Sequence, residues 1–137
     1  MKKNASALVG AIAVAGLLLT GCAGGAQSKA DACKVIESEV TDSAAQLQSG
    51  LSTLSSDPEG AVAQLDEFAD TFDSAAGKVT NEDVKKSADA SVAALKAFIT
   101  EAKTAVDDPA SADQTKLTDS LTKLQDEFTT LGTSCSL

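Results

Sequence analysis

Residues 80–107 read TNEDVKKSADASVAALKAFITEAKTAVD, and this stretch decides the fold class. Its apolar residues recur at spacings of three and four, which places them along one side of an α-helix. The helix is predicted to end near Val106 or Asp107. Its apolar stripe comprises Val84, Ala88, Val92, Leu95, Ile99, Ala102 and Val106, with Phe98 beside it.

Capping residues mark the ends of the predicted helices. Thr80 can cap the helix described above by accepting a hydrogen bond from a free N–H group of its first turn. Asp57-Pro58 predicts the start of an earlier helix, because Asp caps well and Pro suits the first helical position. Gly77 is predicted to end that earlier helix in a left-handed conformation, and Gly132 to end the last helix of the chain.

Three further segments show the helical spacing of apolar residues. The first extends from about residue 29 to 55, the second from residue 58 to about 76, and the last spans residues 117–131. Asp108-Pro109 repeats the Asp-Pro dipeptide between the third and fourth helices, and no stretch alternates as a strand does. Four helices with short connections predict an all-α fold, an antiparallel up-down-up-down four-helix bundle.

Two cysteines lie at opposite ends of the predicted bundle sequence. In an up-down-up-down bundle the start of the first helix and the end of the last meet, so Cys33 and Cys135 are predicted to form a disulfide that joins the ends. Such a bond persists in oxidising compartments. The alternative is that both remain free, buried thiols.

The N-terminus carries the signs of an exported protein. Lys2 and Lys3 precede an almost wholly apolar run over residues 8–19, which is shorter than the roughly 20 residues of a membrane-spanning helix. The run ends in Leu19-Thr20-Gly21-Cys22. This arrangement resembles the bacterial lipoprotein signal, in which a Leu-small-small-Cys sequence marks the residue that receives lipid.

The chain is predicted to have three parts. The resemblance implies that residues 1–21 are a signal peptide. The small, polar residues after Cys22 predict a flexible tether over residues 22–28, and the helical spacing places the bundle in residues 29–137. Cys22 would become the N-terminus and carry acyl chains such as palmitate, which would hold the protein on the extracytoplasmic face of the cell membrane. An ordinary secreted protein, with Cys22 free or disulfide-bonded, is the alternative. The whole chain also loosely resembles small helical envelope lipoproteins of high-GC Gram-positive bacteria, most of which have no assigned role.

Composition narrows the functional classes. The full chain has a net charge of −9, and removal of Lys2 and Lys3 with the signal makes it −11. This acidity argues against nucleic acid as a partner, because nucleic-acid binding needs clustered basic residues. The absence of His removes the Ser-His-Asp arrangement and imidazole metal ligands. Adjacent carboxylates are expected to cap helices or face solvent, so we expect no catalysis, no cofactor and no metal site.

Four phenylalanines are the only aromatic residues of the chain: Phe68, Phe72, Phe98 and Phe128. They are expected to fill the core, and the alternative is that they line an apolar groove for a ligand. The sequence therefore predicts a non-catalytic binding or structural module, held at the membrane through Cys22, with an unidentified envelope protein as its partner. The alternative function is that of a carrier for a small apolar or lipid ligand.

Overall fold

The computed structural model describes residues 25–51 and 56–136. Four helices make up this part of the chain, and it contains no strand, so the all-α prediction is confirmed. The helices are α1 (Lys29–Leu51), α2 (Pro58–Gly77), α3 (Glu82–Asp107) and α4 (Gln114–Cys135).

Contacts between α2 and α3 show that the two helices run in opposite directions. Lys96 of α3 pairs with Asp73 of α2, and Lys103 further along α3 pairs with Asp66, which lies earlier in α2. α3 and α4 also run in opposite directions. Ser87 pairs with Ser134, whereas Ser91, later in α3, pairs with the carbonyl group of Glu127, earlier in α4.

The first and last helices are joined covalently. The sulfur atoms of Cys33 and Cys135 lie 2.03 Å apart, and their Cα atoms are separated by 5.7 Å, so the predicted disulfide is confirmed. Apart from this bond, α1 packs mainly on α2, α2 on α3, and α3 on α4, whereas the described parts of α1 and α4 touch only to a limited extent. Each helix therefore packs mainly on its neighbours in the chain, and the disulfide joins the first helix to the last.

Most of the core lies between α2 and α3. The apolar face that the sequence predicts for α2 is buried, and that of α3 is buried from Val84 to Ile99, whereas Phe98, Ala102 and Val106 are partly buried. Ala32 and Ile36 of α1 and Leu131 of α4 join this core. Alanines form much of this interior, which lets the helices approach closely but removes little apolar area from water per residue. The buried alanines are Ala32, Ala61, Ala69, Ala75, Ala76, Ala88 and Ala94.

The Asp57-Pro58 start of α2 is confirmed. The Asp57 carboxylate accepts a hydrogen bond from the Gly60 backbone N–H at 2.9 Å, and Pro58 occupies the first turn. A Cβ atom on Gly60 would lie 2.2 Å from Asp57 Oδ2, so any other residue there would displace the cap. Asp108-Pro109 has a different role, because α3 ends there and α4 starts only at Gln114, capped by Asp113.

Two predicted helix boundaries and one predicted conformation are wrong, although α2 does end at Gly77 as expected. Asn81 rather than Thr80 caps α3, with its side chain accepting from the Val84 backbone N–H. Gly77, the last residue of α2, is not left-handed. Lys78 caps the helix in a right-handed conformation, and the next residue, Val79, is buried in the core. Gly132 lies inside α4, which continues to Cys135 and so brings that sulfur to α1.

Candidate functional site

The predicted lipid-attachment residue, Cys22, lies outside the described residues. The part of the predicted tether that the structure describes, residues 25–28, has no regular secondary structure. Even so, one residue of that segment is held against the bundle. The contacts of the folded domain begin at Gln27, two residues before α1.

Gln27 binds the connection between α2 and α3 through four hydrogen bonds. Its backbone N–H donates to Thr80 Oγ1 at 2.9 Å, and its side-chain Oε1 accepts from the Thr80 backbone N–H at 2.9 Å. Its Nε2 atom donates to the carbonyl group of Lys78, and its own carbonyl group accepts from Asn81 Nδ2. We call these four bonds the latch, since they fix the point at which the chain leaves the bundle.

The latch lies beside the cap of α3. The Thr80 hydroxyl accepts from the Gln27 N–H, and the next residue with a suitable side chain, Asn81, caps the helix. Ser28 completes the local structure by capping α1, because its hydroxyl accepts from the Asp31 backbone N–H at 3.1 Å. Polar contacts to a turn more than 50 residues away leave no periodic signal in the sequence.

Three of the four phenylalanines meet in the interior. Phe72 is 1 % exposed and Phe68 is 7 % exposed, and their ring centroids are 6.3 Å apart. Phe128 stacks on Phe72 at 5.4 Å and is itself only partly buried. Phe98 is partly buried against the core, and no ring contact joins it to the other three. All four rings therefore sit within or against the packed core.

The apolar stripe of α4 is the least covered in the described part of the bundle. Leu131 is buried, whereas Leu124 and Phe128 are partly buried against the core. Leu121 is 40 % exposed. Leu131, beside the disulfide, is thus the one buried residue of the stripe, and Leu121 is its most exposed residue, since Leu117 is again partly buried.

Three grooves lie on the surface of the described residues, and none of the three is lined by a phenylalanine. One of about 240 Å³ lies between the start of α2 and the end of α3, where the Lys103–Asp66 ion pair also sits. One of about 330 Å³ lies between α3 and α4 and includes Lys29 and Lys86. The third, of about 510 Å³, runs along α1 from Lys34 to Thr41. Charged or hydroxyl side chains contribute to all three.

A buried polar contact that the sequence patterns did not predict joins α3 and α4. Ser91 is fully buried, and its hydroxyl lies 2.9 Å from the Ser87 carbonyl oxygen and 3.1 Å from that of Glu127. Ser87 in turn contacts the Ser134 hydroxyl at 2.9 Å. These small side chains satisfy their polar groups at a close helix–helix contact. A serine on the inner face of an otherwise apolar stripe is the one signal of this contact in the sequence.

Three of the carboxylates that could have contributed to a reactive site, Asp57, Asp66 and Asp108, have structural partners. Asp57 caps α2, and Asp66 pairs with Lys103 at 2.6 Å. The Ser111 hydroxyl donates to Asp108 and thereby holds the pKa of that carboxyl below its ordinary value. Within residues 25–51 and 56–136, no group of three or more cysteines and acidic residues is arranged to hold a metal ion.

Two further findings concern membranes and known proteins. None of the four helices in the described part of the chain combines the length and the apolarity that crossing a membrane requires. No protein-family model matches the sequence, and no curated protein and no solved structure matches it.

Proposed function

We propose that this protein is a lipoprotein of the bacterial cell envelope, held on the extracytoplasmic face of the membrane by lipid on Cys22. It acts there as a non-catalytic binding or structural module. The sequence Leu19-Thr20-Gly21-Cys22, at the end of a short apolar run, carries the proposal.

The Cys33–Cys135 disulfide supports an exported location. It links residues 102 positions apart, and a bond of this kind persists in the oxidising conditions outside the cytosol. In a small domain whose core is rich in alanine, such a bond also contributes stability that apolar burial supplies only in part. Lipid anchoring and the disulfide therefore suit the same compartment.

The binding role is consistent with the surface of α4, where Leu124 and Phe128 are partly buried and Leu121 is 40 % exposed. The carrier alternative would need a groove lined by phenylalanine, and the three grooves described above are lined by other residues.

Membrane fractionation of two matched variants tests the anchor. The full chain is expressed in a bacterium that processes lipoproteins, together with Cys22→Ser and, as the control, Ala26→Ser. Both substitutions place a serine in the same short segment, and Ala26 is exposed. The parent chain and Ala26→Ser should pellet with membranes and incorporate labelled palmitate, whereas Cys22→Ser should do neither.

Two results would contradict the proposal. One is complete membrane association of Cys22→Ser, and the other is a purified parent protein that begins at Met1 without acyl groups. Mass spectrometry of the intact protein distinguishes these cases, because diacylation, cleavage before Cys22 and the disulfide each change the mass.

A further inference from the structure

The latch limits how far the bundle can stand from its anchor. Gln27 is fixed to the α2–α3 connection, and only five residue steps separate it from Cys22. A fully extended chain covers about 3.3–3.6 Å per residue, so these steps reach roughly 17 Å at most. The limit follows from covalent geometry and holds for any conformation of the intervening residues.

The latch also determines which end of the bundle lies near Cys22. The latched end comprises residues 27–34, 78–86 and 131–136, which include the Cys33–Cys135 disulfide. The acidic end comprises residues 56–60 and 107–113. The 26 residues of α3 run from one end to the other, which at 1.5 Å per residue is about 39 Å. This length is more than twice the reach of the segment before Gln27.

The two ends differ in charge. The latched end carries five lysines (Lys29, Lys34, Lys78, Lys85 and Lys86) against three acidic residues (Asp31, Glu82 and Asp83). Two of the lysines also pair with carboxylates on the sides of the helices, Lys78 with Glu39 and Lys85 with Asp89. The acidic end carries five carboxylates: Asp57, Glu59, Asp107, Asp108 and Asp113. Its nearest lysines, Lys103 and Lys116, lie within about one turn of the adjacent ends of α3 and α4.

We infer that the bundle stands on the membrane with its latched end against anionic lipid headgroups and its acidic end pointing away. This inference rests on the proposed lipid at Cys22. Reach and charge favour the same arrangement, because a negative bilayer surface attracts lysines and repels carboxylates within about a Debye length. The net charge of −11 conceals this asymmetry. The partly exposed stripe at the start of α4 is thereby presented away from the lipid surface.

Fluorescence quenching in vesicles tests the orientation. Reporter thiols are introduced by Gly77→Cys at the latched end and Ala110→Cys at the acidic end. Gly77 has open space around the position of a Cβ atom, and both residues are exposed. With Cys22 acylated and Cys33 bonded to Cys135, the reporter is the free thiol that takes the fluorophore. The acylated protein is added to vesicles of equal parts phosphatidylglycerol and phosphatidylcholine that carry a headgroup quencher.

The label at Gly77→Cys should be quenched several-fold more strongly than the label at Ala110→Cys. A matched variant carries about 20 inserted Gly and Ser residues after Gly24, a flexible segment with a mean span of roughly 25 Å. This variant should stay vesicle-bound while the difference between the two labels narrows. Equal quenching of both labels in the parent chain, with the protein still bound, would overturn the orientation but not the anchor. Protein left in the supernatant would instead reject the lipid anchor, and the orientation with it.

Hydrogen exchange tests the latch without lipid. In the Cys22→Ser chain, Gln27→Ala removes the acceptor of the Thr80 backbone N–H, and adding Thr80→Val removes the acceptor of the Gln27 N–H. The residue 80 amide should exchange roughly tenfold faster in both variants, since one solvent-accessible hydrogen bond protects it. Ala26→Ser is the control and should leave exchange unchanged. If the residue 80 amide exchanged at the parent rate in Gln27→Ala, the latch would be rejected. This outcome does not depend on whether Cys22 carries lipid.

Discussion

The α2–α3 hairpin and α4 have similar apolar spacing but very different burial. Eight residues are buried in α2 and eight in α3, whereas Leu131 is the one buried residue of α4. Yet α4 has a regular stripe in the sequence, with apolar residues at alternating intervals of four and three: Leu117, Leu121, Leu124, Phe128 and Leu131. Spacing determines which side of a helix is apolar, and the neighbouring helices determine how much of that side is covered.

The difference arises from the order in which the helices pack. α2 and α3 each lie between two neighbours, because α1 covers the other side of α2 and α4 the other side of α3. α4 lies at one end of this series and has an extensive contact only with α3. The disulfide makes up for the limited packing of α4 at one point, because it bonds the end of α4 to the start of α1.

Removal of the disulfide should have the largest effect, because it breaks the covalent link between α1 and the poorly covered helix. In the Cys22→Ser background, replacing both Cys33 and Cys135 by Ala should lower the free energy of unfolding by roughly 4–5 kcal/mol, as the chain-entropy model gives for a loop of about 100 residues. Urea unfolding followed by circular dichroism measures this loss. The parent protein treated with a reductant should show the same loss, and an unchanged midpoint after verified reduction would contradict the prediction.

A pair of core and stripe substitutions should separate the two regions. Phe72→Ala removes a ring that is 1 % exposed and contacts Phe68 and Phe128, so the free energy of unfolding should fall by about 3–5 kcal/mol. Leu121→Ala changes a side chain that is 40 % exposed and should cost less than about 1 kcal/mol. Both are measured by urea unfolding. Similar losses for the two variants would mean that Leu121 is covered in solution.

The two Asp-Pro dipeptides should give the smallest and most specific contrast. Asp57→Ala removes the acceptor for the Gly60 N–H and should cost about 1 kcal/mol, the usual loss for a helix cap. Asp108→Ala, its matched control, changes an exposed turn that begins no helix and should leave the unfolding midpoint nearly unchanged. An equal loss in both variants would show that the second dipeptide has the role of the first. Thermal unfolding at neutral pH is sufficient to rank them.

Sequence patterns predicted the features that depend on helical spacing, on capping residues or on the way the ends of a bundle meet. The helical stripes of α2 and α3, the Asp57 cap and the Cys33–Cys135 bond all follow from spacing, capping chemistry or the meeting of bundle ends. Each of these signals lies in consecutive residues or in a rule that holds for any up-down-up-down bundle. Local chemistry and chain topology are therefore enough to predict them.

The features that the sequence did not reveal depend on single contacts across long separations. Thr80 and Asn81 are both competent caps, and in the structure Asn81 caps α3 while the Thr80 hydroxyl accepts from Gln27, 53 residues away. Gly132 is a reasonable helix end by residue type alone, but α4 passes through it to reach Cys135, at a cost of up to about 1 kcal/mol relative to Ala. The coverage of the α4 stripe depends on the packing order rather than on its residues.

The disulfide makes most of the chain a covalent ring. Residues 33 to 135 lie inside it, and these include both inter-helix connections most remote from the bond, around Asp57 and around Pro109. A protease that cuts once within the ring leaves a single molecule, whose two pieces remain joined through sulfur and still attached to everything before Cys33. A single cut therefore separates the bundle from the N-terminal part of the chain only where it falls ahead of Cys33, in a stretch that includes the latch.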